Sequence, residues 1–133
     1  MNRIIKIIVI YLFCGNYSMA QDISAYDLYK SCKNYYEWVT TDFKFPVDDK
    51  ILFEMGKCQG IIETTGKTML TLCIEKKRNL DINKKLTANL RDIKSITIIK
   101  SFVMQGDNDP SLRRHEGHLY LMNFLSDNWP CLK

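Results

Sequence analysis

From Ser24 to Val39, the positions Tyr26, Leu28, Tyr29, Cys32, Tyr35, Tyr36 and Val39 recur at three- and four-residue steps. That is the period of one helix face. Ser24, followed three residues later by Asp27, has the form of a capping box, so the pattern predicts a first helix over 24–39. Its tyrosines fit either a sugar-stacking surface or packing in and beside a core, and packing is favoured. A loop follows over 40–49. It carries Phe43, Phe45 and Pro46, and the proline disfavours helix at the residue before it.

The next stripe, Ile51, Met55, Cys58, Ile62, Thr65 and Met69, alternates four- and three-residue steps. It predicts a second helix starting at Asp48 or Asp49, whose carboxylates suit a helix N-terminus, and ending near Leu72. Gly56 and Gly60 stand one turn apart beside this stripe, which reads as close packing against another helix backbone. The stretch 74–85 is charged and turn-like, and Lys76, Lys77 and Arg78 read there as a solvated loop. Leu86, Leu90, Ile93, Ile96 or Thr97, and Val103 predict a third helix over 86–105, although the β-branched block 96–102 is also compatible with a strand. Gly106 is its expected stop. Asp109 as N-cap and Pro110 as first helical residue then open a fourth helix running to about Asp127. The expected fold is all-α: a small bundle of about four antiparallel helices.

The first twenty residues do not belong to that bundle. Arg3 and Lys6 precede or interrupt a run of about ten apolar residues, and Ser18 and Ala20 supply small residues for cleavage before Gln21. This is the pattern of a secretory signal peptide, and the run is half of what a membrane span needs. Cys14 follows bulky Tyr11-Leu12-Phe13, which does not suit lipidation. Of 19 Lys and Arg against 15 Asp and Glu, Arg3 and Lys6 leave with the signal, so the net charge falls from +4 to about +2. So small an excess gives no basis for binding nucleic acid by bulk electrostatics.

Cys32, Cys58, Cys73 and Cys131 remain in the expected mature domain, 21–133. An even number in an exported small domain reads as two disulfides. Their separations of 26, 15 and 58 residues lack the close pairs of a zinc site. Of three possible connectivities, the up-down order of four helices favours Cys32–Cys58 with Cys73–Cys131.

Candidate chemistry is sparse. His115 and His118, if helical, share roughly one face, but two ligands are too few for a catalytic metal. Asp48-Asp49 and Asp107 with Asp109 lie at helix ends, where capping accounts for them. The chain has no glycine-rich phosphate loop and no serine elbow, and the paired cysteines leave no thiol nucleophile. The expectation is a non-enzymatic protein without metal or cofactor.

The run Lys57-Cys58-Gln59-Gly60-Ile61-Ile62, then Cys73 at the end of the same helix, and the closing Phe124-Leu125-x-x-x-Trp129-Pro130-Cys131, with Leu28 and Cys32 as the first element, resemble the Rap/Tai family of type VI secretion amidase immunity proteins. Ile61 stands where the family commonly has Tyr, Ile74 and Glu75 replace a proline after the third cysteine, and the stretch from Cys32 to Cys58 is longer than usual. The resemblance implies a helical periplasmic protein, often a homodimer, that binds and blocks a peptidoglycan amidase effector injected by a sibling cell. Candidate partner-binding residues are Phe43 and Phe45 in the aromatic loop, and Asp107 and Asn108 in the polar turn. The rival expectation is a periplasmic acid-stress chaperone, also helical and disulfide-linked.

Overall fold

The computed structural model describes residues 22–42, 44, 46–78 and 80–132. The expected signal peptide with Cys14 and its cleavage point, and the loop residues Phe43 and Phe45, lie outside the described residues. Within these, the chain folds into helices α1 (Ala25–Thr40), α2 (Asp49–Lys77), α3 (Ser95–Asp107) and α4 (Gly117–Asn128), with 3-10 turns at Lys84–Leu86 and Leu112–Arg114 and no strands. No described helix is long and apolar enough to cross a membrane.

Helix α1 begins as its capping box predicts. The Ser24 hydroxyl accepts from the Asp27 amide at 3.1 Å and donates to the Asp27 carboxylate at 2.7 Å. Its inward face, Ala25, Leu28, Tyr29 and Cys32, is buried, while Tyr26, Tyr35 and Tyr36 pack half-buried at the margin. Three other helices close over that face, because α1 packs against α2, α3 and α4. In α2 the predicted stripe is the core face: Met55, Cys58, Ile62 and Met69 are buried, and Gly66 and Cys73 complete it. The helix starts from Asp48, whose carboxylate accepts from the Ile51 amide at 2.7 Å. It runs five residues past Leu72, so that Lys76 and Lys77, expected in a loop, form its last turn, where cations suit the helix dipole.

Two boundaries differ more. The third helix begins at Ser95 instead of Leu86. The intervening chain is held extended by a bridge between Ala88 and Pro130, with the Asn89 amide donating to the Trp129 carbonyl at 2.8 Å. Thr87 and Ala88 are fully buried there, and Asp92 takes a left-handed conformation, φ 65°, before the helix starts. Pairing with the C-terminal tail thus outweighs the local helical pattern. The β-branched block 96–102, by contrast, is helical.

The fourth helix begins at Gly117, capped by Glu116, whose carboxylate accepts from His118 and Leu119 amides at 2.8 and 2.7 Å. Asp109 is not its cap. That carboxylate instead closes a turn on Ser111, accepting its amide at 2.8 Å and its hydroxyl at 2.6 Å, and also receives the Tyr120 hydroxyl at 2.8 Å. His115 is extended, φ −107° and ψ 147°. There the chain bridges back to the start of α1, with Ala25 N donating to His115 O at 3.0 Å and Gly117 N to Ile23 O at 2.7 Å. A Cβ at Gly117 would stand 2.6 Å from the Ile23 carbonyl oxygen, so this crossing requires glycine. Gly106 likewise does not stop α3 but lies inside it, and the Tyr29 ring occupies the space a Cβ there would need.

Cys32 is bonded to Cys58 and Cys73 to Cys131, with Cα separations of 5.0 and 5.6 Å, the favoured connectivity. The first ties α1 to α2 at the core. The second ties the C-terminal tail to the end of α2. These bonds fit an oxidising, extracytoplasmic compartment.

Two outcomes are expected in urea unfolding. Replacing both Cys73 and Cys131 by Ser, which opens a 58-residue loop, lowers stability by about 2–5 kcal/mol. Gly106→Ala overpacks Tyr29 and lowers it by about 1–3 kcal/mol; an unchanged midpoint contradicts this reading of the α1–α3 contact.

Candidate functional site

The first turns of α1 and α2 line a cleft of about 700 Å³. Asp22, Asp27, Asp48 and Glu54 line it with Lys30, Lys50 and Lys57, so its wall carries both signs of charge. At its base Ser31, 1% exposed, donates its hydroxyl to Glu54, whose carboxylate also pairs with Lys57 at 2.7 Å. Lys57, and then Ser31, hold the Glu54 carboxyl below the usual carboxylate range. At the rim Phe53 is 70% exposed, on a helix anchored by a disulfide two turns or less away, and its chain neighbour Leu52 is 51% exposed. The Lys57 ammonium lies 5.9 Å from the Phe53 ring centroid, a cation–π distance. Across α1, the Arg113 guanidinium stands 4.1 Å from the Tyr26 ring centroid. A mixed-charge cleft beside a rigidly mounted aromatic is suited to contacting another protein: the aromatic supplies an anchor, and the charges supply a polar rim.

Sequence patterning placed candidate partner contacts elsewhere. Asp107 lies at the end of α3 and is engaged within the chain. It accepts the Tyr29 hydroxyl and pairs with Lys33 at 2.8 Å, while Lys33 also donates to Tyr29 at 3.0 Å. Asn108 donates to the Met104 carbonyl at 2.9 Å and so closes the C-terminal turn of α3. Phe53 stands about 200° around the helix from Ile51 of the predicted stripe, so periodicity turns it outward; the cleft beside it depends on how α1 packs and has no local sign in the sequence.

His115 and His118 do not form the helical pair expected of them. His115 precedes α4 in extended chain and contacts the Ser111 hydroxyl at 3.1 Å, whereas His118 lies in the first turn of α4, beside a separate apolar groove. Among the described residues no group of three or more His, Cys, Asp or Glu side chains could hold a metal ion.

Contacts between elements repeatedly end on a carboxylate held below its usual range. Lys33 and then Tyr29 lower Asp107, linking α3 to α1. Ser111 and Tyr120 lower Asp109, linking the turn after α3 to α4. Gln59 and Ser95 lower Glu63, the latter linking α2 to α3. A carboxylate depressed in the folded chain stabilises it above the ordinary value near pH 4, about where the unfolded group titrates, and that contribution is lost as the pH falls through the depressed folded value. Lys33 and Tyr29 are both raised, the first by Asp107 and the second by burial, so their contribution is full below about pH 10 and is lost in stronger alkali. Thermal melts from pH 2 to 11 are therefore expected to show a plateau bounded by losses below about pH 4 and above about pH 10. Asp107→Asn is expected to make both losses shallower; limits unmoved by that variant contradict the assignment. A comparison with known proteins finds no matching family model, no matching curated sequence and no matching solved structure.

Proposed function

We propose that this chain is a periplasmic immunity protein, exported by residues 1–20 and cleaved before Gln21, that binds and inhibits a peptidoglycan amidase effector of the type VI secretion system. The observation that carries the reading is the cysteine framework: the four cysteines of the Rap/Tai-like pattern join as Cys32–Cys58 and Cys73–Cys131 in an all-α domain. Inhibition by occlusion requires no catalytic group. It requires a rigid surface able to bury about 1,200–2,000 Å² with the enzyme. The mouth of the α1–α2 cleft offers a rigid starting point for such a surface, with exposed Phe53 as anchor and the Cys32–Cys58 bridge joining the two helices.

The test is recovery of partners on tagged residues 21–133 from periplasm of cells expressing the neighbouring open reading frame. The expected outcome is stoichiometric capture of a cell-wall amidase whose activity falls on binding. Phe53→Ala is expected to weaken that complex about 30-fold or more, the effect of removing a 2 kcal/mol anchor. If no hydrolase is retained, the proposal fails.

The second reading, an acid-opened chaperone, is favoured by one observation: the carboxylates Glu54, Glu63, Asp107 and Asp109 sit at contacts between elements. Protonation removes their charge in acid. Binding of unrelated denatured proteins only below about pH 4, the ordinary carboxylate range, together with no hydrolase capture, supports this reading over the inhibitor.

A further inference from the structure

Lys57 lines both the mixed-charge cleft and a separate groove of about 580 Å³ along α2, so the two hollows are continuous through its side chain. The groove is formed by Gly60, Ile61, Thr64, Thr68 and Leu72 of α2 with Met122 of α4. Its ionisable lining is Lys57 and His118, and no carboxylate faces it. Phe53, Lys57, Gly60, Thr64 and Thr68 fall within about 80° of one another around the helix, opposite the core stripe. A Cβ at Gly56 or Gly60 would meet no atom within 4 Å, whereas Gly66, Gly106 and Gly117 each have a neighbour at that position. The outer face of α2 is therefore low at Gly56 and Gly60, beside the exposed Phe53 ring.

A standard interface takes about 800 Å² from each partner, while one aromatic side chain supplies at most about 250 Å². Most of a contact anchored on Phe53 must therefore come from the surface beside it. Toward α1 that surface carries Asp22, Asp27 and Asp48 with Lys30 and Lys50, and removing water from charges opposes binding unless each finds a partner. Along α2 the lining is apolar, glycine or threonine, and the Thr68 hydroxyl is already bonded to the Thr64 carbonyl at 2.9 Å, so covering it is favourable. We infer, on the inhibitor reading, that the hydrolase's contact runs from Phe53 along this groove to Leu72, and that the segment it lays there is apolar with a carboxylate opposite Lys57 and His118. The strip is about 28 Å long, enough for a standard interface. The charged cleft wall then stays at the wet rim, where charges are least costly.

The measurement is calorimetric titration of the hydrolase recovered in the capture experiment, once purified, into this chain and its variants isolated from periplasm. Thr64→Arg, which drives a long charged side chain into the middle of the contact, is expected to weaken the complex about 100-fold or more. Its helical circular dichroism should not change, because position 64 is exposed and Arg is the better helix former. The same substitution at Thr97, exposed on α3, should leave the affinity unchanged. His118→Glu, which sets carboxylate against carboxylate, should weaken binding about tenfold, with a loss that shrinks at high salt. A hydrolase complex sensitive to Phe53→Ala but indifferent to Thr64→Arg and His118→Glu overturns this contact and leaves the inhibitor reading standing. Equal loss from Thr97→Arg also overturns it. Recovery of no hydrolase at all overturns both.

Discussion

Helix α1 can bury Ala25, Leu28, Tyr29 and Cys32 only if α2, α3 and α4 all close on it, and the rest of the molecule is arranged around that requirement. Each contact has its own fastener. Cys58 bonds α2 to the middle of α1. Gly106 lets α3 approach until the Tyr29 ring lies against its backbone, and Tyr29 with Lys33 then holds Asp107. The chain before α4 crosses the start of α1 so closely that only glycine fits at position 117. A domain of this size buries a modest core, and these links keep its helices from sliding over one another.

The same arrangement accounts for the surface. With α3 and α4 gathered on α1, helix α2 contributes one stripe to the core and leaves its opposite face open. Its first turns line, with α1, the mixed-charge cleft, with Phe53 at the rim. Leu52 and Phe53 are therefore exposed as a consequence of where the longest helix lies. They sit on regular, anchored structure instead of on loops, which lowers the ordering cost of binding through them.

The extended segment 87–91 and the C-terminal tail show a different constraint. Neither forms regular structure alone, yet Thr87 and Ala88 are fully buried, so their backbone polar groups must find partners. They find them in each other and in the C-terminal half of α2: Ala88 donates to Met69 at 3.3 Å and Asn89 to Trp129 at 2.8 Å. The Cys73–Cys131 bond lies beside these contacts and holds the tail in register.

The sequence alone determined the helical class, the core face of α2 and the capping of α1 and α2, and through helix order it favoured the cysteine pairing that the structure has. All of these follow from contacts or periodicities within one or two turns, or from the number and order of elements. Tertiary structure decided the rest. Helix α3 loses the turns from Leu86 to Lys94 because the tail offers buried hydrogen bonds there, and α4 starts at Gly117 because Asp109 is held by Ser111 and Tyr120. The cleft beside Phe53, the open space beside Gly56 and Gly60, and the engagement of Asp107 depend equally on residues distant in the chain. A periodic pattern shows which face of a helix is apolar, but which neighbour covers it is set by the packing of the whole domain.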